Sequence, residues 1–211
     1  MAIDHPQVRE AAARLRDQGK TVITTISDLP ADSRDAFVGI DSFSAGRTAA
    51  QLLCRFNPHR PGSLALIAAS WAYRAHLERE MGFLSLIDSR VPGTRVIAAA
   101  EGHDNRDENY LHTRRLLADH PDLAGIYNVG GASDGFGRAL RDAGCAGEVS
   151  FIGHGLTPDT RAMLIDGTMD AVLTQAPERI IERALALAMG QPHEQAVMPV
   201  EIYLAENLPP V

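Results

Sequence analysis

The chain has 211 residues, 45% hydrophobic and 22% charged, an ordinary globular composition that can bury one good core or two small ones. Disorder, collagen and coiled coil are excluded on these grounds, and no apolar run reaches the roughly 18 residues of a membrane span. A formal net charge of −7 opposes the cation-rich contacts on which duplex binding depends, so the chain by itself is not expected to grip DNA. The opening MAIDHPQVREAAARL lacks the basic start and apolar centre of an export signal, which predicts a cytoplasmic protein. Cys54 and Cys145 stand far apart without a Cys or His at ligand spacing, so no disulfide framework, metal or other cofactor is expected.

In chain order, a helix follows Asp4, with Pro6 early, Gly19 just past its end, and Val8, Ala11, Ala12 and Leu15 apolar. Residues 21–26 (TVITTI) predict a strand and 27–35 a loop. Residues 37–40 (FVGI) predict a strand feeding a helix over 42–56 that starts at Asp41 or Ser42. The breaker-rich 57–62 (NPHRPG) marks a lobe boundary. Strands are then expected at 63–69, 95–101, 124–129, 149–153 and 170–174, with helices at 74–89, 105–120, 133–143 and 158–166 between them. Ser133 and Thr157 are the expected caps of the last two. A helix over 177–189 opens at Pro177, and a strand over 199–205 closes the chain.

This alternation predicts an α/β fold with parallel sheets. The expected organisation is a partial N-terminal lobe at 1–58, a complete doubly wound C-terminal lobe at 59–175, and a helix and strand at 176–211 returning to the N-terminal lobe. A parallel sheet of two strands cannot cover its faces and edges. The apolar faces of helices 4–18 and 42–56 are therefore expected to be exposed or covered by another copy.

Ligands of open α/β sheets bind beyond the carboxyl ends of the strands, where loops vary and helix N-termini present unpaired N–H groups. The loops expected there carry Trp71, Tyr73, Arg74, Asp104, Asn105, Asn128, Asp134, His154 and Gln175. Amide and guanidinium groups pair with neighbouring hydroxyls and an aromatic face covers C–H bonds, so this set suits a sugar or polyol. Blander roles stand beside these. Trp71 and Tyr73 can simply close the sheet edge, Asp104, Asn105, Ser133 and Thr157 can be helix caps, and His103 and His154 can be satisfied rim histidines. Gln175 is sharper: it follows a buried apolar strand, so its amide needs a partner. Enzyme motifs fail. Gly130, Gly131, Gly135 and Gly137 do not have dinucleotide spacing, and Ser70, with His103 and Asp104 as conceivable hydrolytic companions, is not in a nucleophile elbow. A rim-based hydrolase is the reading from a different class, and no enzyme activity is expected.

Six segments in register carry a family likeness: VGIDSFSAGRTAAQLL (38–53), SLALIAAS with EREMGF, PDLAGIYNVGG (121–131), ALRDAG (139–144), VSFIGHGLTPDT (149–160) and DAVLTQAP (170–177). Together they resemble the ligand-sensing domain of LacI-type transcription regulators, which is similar to periplasmic sugar-binding proteins. The resemblance implies a type I-like periplasmic-binding-protein fold, two doubly wound parallel-sheet lobes closing on a small sugar or polyol, with the N-terminal lobe incomplete. It implies that Arg79 holds ligand hydroxyls, that Gln175 and Asn128 are ligand groups, and that Thr25, Ser27 or Asp28 takes the acidic position after the first strand. Where the family has a carboxylate after the fourth sheet strand, this chain has His154-Gly155-Leu156. No helix-turn-helix segment is present, so the resemblance implies an N-terminally truncated regulator, homodimeric, touching DNA only through the missing head. A transport-type sugar-binding protein fragment is the alternative.

Overall fold

In a computed structural model the chain is described over residues 2–58, 62–191 and 197–210. The elements are α1 (Pro6–Asp17), β1 (Ile23–Thr25), β2 (Ala36–Ile40), α2 (Ser42–Phe56), β3 (Ser63–Ala68), α3 (Arg74–Arg90), β4 (Val96–Glu101) and α4 (Arg106–Asp119). They continue with β5 (Leu123–Asn128), α5 (Ser133–Asp142), β6 (Ser150–His154), α6 (Pro158–Ile165), β7 (Ala171–Thr174), α7 (Pro177–Ala188), β8 (Val197–Met198) and β9 (Glu201–Tyr203). Residues 59–61 of the segment taken as a lobe boundary lie outside the described residues.

The chain is an α/β fold with two sheets. One has strand order β4-β3-β5-β6-β7-β9, the other β1-β2-β8. In the larger, β3 to β7 run parallel and their side chains alternate between two buried faces. Leu64, Leu66, Tyr127 and Ile152 face a core shared with α2 and α3. Ala65, Ile67, Ile126 and Phe151 face the other core, under α4, α5 and α6. Phe83 of α3 stacks on Tyr127 with ring centroids 5.2 Å apart.

Helix α2 forms where expected, and Asp41 caps it by accepting the N–H of Ser44 at 2.9 Å. Its placement differs from expectation. Ala45, Ala49, Ala50 and Leu53 are fully buried in the core of the six-stranded sheet, so α2 belongs to the larger lobe and its apolar face is not left bare. The change of lobe falls at Asp41, not at 57–62. Gly46 and Gly82 make the α2–α3 approach possible: a Cβ on Gly46 would collide with the carbonyl of Arg79, and one on Gly82 with the carbonyl of Phe43. Helix α1 does keep Val8 and Leu15 exposed.

The end of the chain also departs from expectation. Helix α7 packs on β1 and β2, and Val197–Met198 adds a third parallel strand beside β2. The final strand does not stay there: β9 pairs antiparallel with β7, Thr174 opposite Glu201, and closes that edge of the larger sheet. Over the described residues the chain therefore passes between the sheets three times, at Asp41, at Gln175–Ala176 and at residues 199–200.

Candidate functional site

Strand β3 lies between β4 and β5, so the crossover direction reverses there and the loops after β3 and β5 diverge to leave a crevice. Backbone strain gathers at the same end of the molecule. The non-glycine residues with positive φ among those described are Ile26, His103, Asp104, Ala132 and Ala176, and each follows the carboxyl end of a strand. Such conformations persist only where the surroundings enforce them, and they concentrate at functional sites.

The larger lobe has a cavity of about 550 Å³ at this rim, framed by Asp104, Arg106, Ser133, Asp134, His154 and Thr157 at the N-termini of α4, α5 and α6. Asp104 accepts the N–H of Gly131 at 2.6 Å, bridging the loops after β4 and β5. Asp134 is paired with Arg106 at 3.1 Å. Asn105 and Thr157 are true caps, the latter in a capping box with Thr160. Ser133 is not a cap: Ala132 occupies that position in a left-handed conformation, and the Ser133 hydroxyl accepts a hydrogen bond from Asn128.

On α3, outside the lining of that cavity, Arg79 is 3% exposed and donates from Nη1 to the carbonyl of Val129 at 2.8 Å, while its Nε and Nη2 are buried without partners. Burial lowers its pKa, although a guanidinium remains charged. Beside it the Tyr127 hydroxyl and His154 Nε2 share a hydrogen bond of 2.7 Å. Burial, reinforced by the charge of Arg79 and by His76, holds His154 well below the usual imidazole range, so the ring is neutral, with one nitrogen an N–H donor and the other an acceptor. Burial raises the Tyr127 phenol, which stays protonated. His154 Nδ1 and Gln175 Oε1 are likewise buried and partnerless. Native proteins rarely leave such atoms unmatched. Here Arg79 reaches the chain just past β5 through Val129, His154 ends β6 and Gln175 follows β7, while Asn109 Oδ1 and Arg183 Nε are unmatched elsewhere.

The other expected ligand groups are engaged within the fold. Asn128 donates to Gly131 O and Ser133 Oγ, both at 2.9 Å, and accepts from Gly130 N–H; its amide builds the loop after β5. Ser27 accepts the N–H of Ala75, tying the end of β1 to α3. Asp28 is taken by Arg34, Thr24 and the N–H of Leu29. The Trp71 side chain packs against the core, and Tyr73 precedes α3 with its ring edge-on to His76 at 5.2 Å. His103 spends Nδ1 on Glu108 at 2.8 Å, and Ser70 Oγ accepts the N–H of Ala72, so the conceivable hydrolytic set is not assembled. Tyr127, bonded to His154, is the polar group of this region that sequence reasoning missed. Its signal was a phenol within an otherwise apolar buried strand, which needs a polar partner. Among the described residues no group of three or more His, Cys, Asp or Glu is placed to hold a metal, and no helix is long and apolar enough to cross a membrane.

Two sheets joined by three passages of chain, with unmatched polar atoms where the strands of one end, define a two-lobed ligand-binding protein. The chain belongs to the periplasmic binding protein family, whose domain matches residues 1–191. It is similar to the ABC transporter periplasmic-binding protein YphF of Escherichia coli, 32% identical over 89 residues, which is 42% of this chain and 27% of that protein. Its fold is that of the glucose-galactose binding protein GanP of Geobacillus stearothermophilus, with a TM-score of 0.86 and 21% identity over 98% of this chain and 75% of that one. A solute-binding protein of Burkholderia graminis in complex with D-arabinose superposes equally well, with a TM-score of 0.86 and 21% identity over 97% of this chain and 73% of that one. The segment aligned with YphF is little more than a quarter of that relative. The likeness to LacI-type sensors thus narrows to the binding-protein fold that these proteins share.

Proposed function

We propose that the chain binds a small sugar or polyol at the carboxyl ends of β5, β6 and β7, with Arg79, His154 and Gln175 as ligand groups, and that it does so as a transport-type binding protein. The observation that carries this is the set of partnerless buried atoms on those three residues, Arg79 Nε and Nη2, His154 Nδ1 and Gln175 Oε1. Together they offer donors and an acceptor within a strained rim, the arrangement that recognises neighbouring hydroxyls. The transport reading is favoured by the similarity to YphF and by the sugar-binding proteins that share the fold. A thermal-shift screen of sugars and polyols tests it. A true ligand at a hundred times its dissociation constant adds about 2.7 kcal/mol of stability, and Gln175→Ala removes much of that gain. Unchanged affinity in both Gln175→Ala and His154→Ala variants would refute the assignment.

The second reading, an effector sensor of a LacI-type regulator, is supported by the six segments in register, beginning with 38–53. It carries with it a cytoplasmic homodimer acting on DNA through a helix-turn-helix head, whereas the transport reading carries an exported protein. The gene sequence upstream separates them, by an export signal or a DNA-binding segment.

A further inference from the structure

Arg34 shows, within the same molecule, how a guanidinium holds a carboxylate. Its Nε donates to one oxygen of Asp28 at 2.7 Å and its Nη2 to the other at 2.6 Å, a side-on bidentate fork. In Arg79 the same two nitrogens are free, with Nη1 spent on a carbonyl. Arg79 forms no ion pair with any described carboxylate, and its chain neighbour Glu78 is committed to Arg74 at 2.7 Å. The other polar groups around it, Tyr127, His154 and His76, are uncharged, each held so by burial. The loop over residues 154–157 reads His-Gly-Leu-Thr and supplies no acid. A guanidinium shut from water with no carboxylate in contact, only the more distant charge of Glu78, is costly, and ligand hydroxyls would match its N–H groups without offsetting its charge.

We propose that the ligand brings the missing charge: it is a sugar acid of the aldonate or uronate type, its carboxylate side-on on Nε and Nη2 of Arg79 and its hydroxyls on Gln175, His154 and the rim. This rests on the reading of these residues as a sugar site. Arg79 is enclosed here, so the ligand enters as the lobes part. A monoanion is preferred over a phosphate ester because the rim cavity is lined by Asp104, Asp107, Asp134 and Asp159 against the single cation Arg106, itself paired with Asp134, and a second negative charge would face that excess.

Titration calorimetry on the full chain at pH 7 tests this with pairs matched in hydroxyl pattern: galacturonate with galactose, glucuronate with glucose, gluconate with glucitol, and glucose 6-phosphate as a further arm. At least one acid should bind 10-fold or more tighter than its neutral partner, the range of a charge-assisted hydrogen bond. Arg79→Lys keeps the charge but not the fork and should weaken the acid at least 10-fold. Gln175→Ala should weaken acid and neutral sugar alike. Arg79→Gln should erase the preference, and if circular dichroism shows it unfolded, the lysine variant decides. Neutral sugars binding as tightly as the acids, the phosphate ester binding more tightly than the acids, or Arg79→Lys binding the acid as wild type would each overturn the sugar-acid assignment while leaving a sugar site in place. No binding by any compound would overturn both.

Discussion

Gly82→Ala tests the packing that positions Arg79. A Cβ at Gly82 would stand 2.9 Å from the carbonyl carbon of Phe43, with the carbonyl oxygen nearer still. Carbon atoms rest about 3.5–4.0 Å apart, so α2 and α3 must separate by roughly 0.6–1.1 Å or more. The obstacle is backbone on both sides, so no side chain can turn aside. A gap of that size forfeits a quarter to a half of each dispersion contact across the seam, where Ala45, Ala49, Phe83 and Ile87 are fully or almost fully buried. Overpacking of this kind costs about 1–3 kcal/mol, and at the upper end where backbone must move. The better helix propensity of Ala returns up to about 1 kcal/mol. A net loss of about 2 kcal/mol follows, or a Tm lower by roughly 4–8 °C for a chain of this size. Thermal unfolding by circular dichroism measures it. An unchanged or raised Tm would refute the close-packed seam.

Three further outcomes are expected. Burial, aided by the charge of Arg79, lowers the His76 pKa from 6.5 to about 4. The unfolded chain then takes up a proton that the folded chain refuses, so stability is full above pH 6.5 and declines as the pH falls towards 4, by an order of 3 kcal/mol from this residue. Urea midpoints across that range should fall less in His76→Gln, and equal slopes in the two proteins would exclude the assignment. Thr157→Ala breaks the capping box of α6 and should cost about 1 kcal/mol in urea unfolding; no change would mean that the box contributes nothing. Asn128→Asp keeps the acceptor for Gly130 but loses two donated hydrogen bonds, with an expected cost of about 1–3 kcal/mol. Amide exchange at residues 130–133 should quicken, and unaltered protection there would count against the loop-building role.

The succession of strands and helices was legible because a strand buried on both faces and a capped amphipathic helix each write their period into the chain. What a period does not record is the surface it will meet. The stripe Ala45, Ala49, Leu53 announces a helix face, yet nothing in it distinguishes the small sheet from the large one. Strand β8 is two residues long, below any periodic signal. The strand at the chain end was visible, but its antiparallel pairing is decided by the open edge of β7. The unmatched amide of Gln175 was legible as a polar residue directly after a buried strand. The engagements of Asn128 and Asp28 within the fold were not, because their partners are set by how loops fold back: the carbonyl of Gly131 and the hydroxyl of Ser133 for one, the guanidinium of Arg34 for the other.

The three passages between the sheets also have a mechanical meaning. Ile40 stands opposite Met198, and Thr174 opposite Glu201, so the tethers run beside one another. Parallel tethers yield to bending about a single axis and resist sliding. Gln175 sits on one of them, almost on that axis, where a grip has little leverage and serves chiefly to fix a resting angle. Asp104 and Asp134 lie off the tethers at the rim, so a contact made there would act on that axis with the longer lever arm.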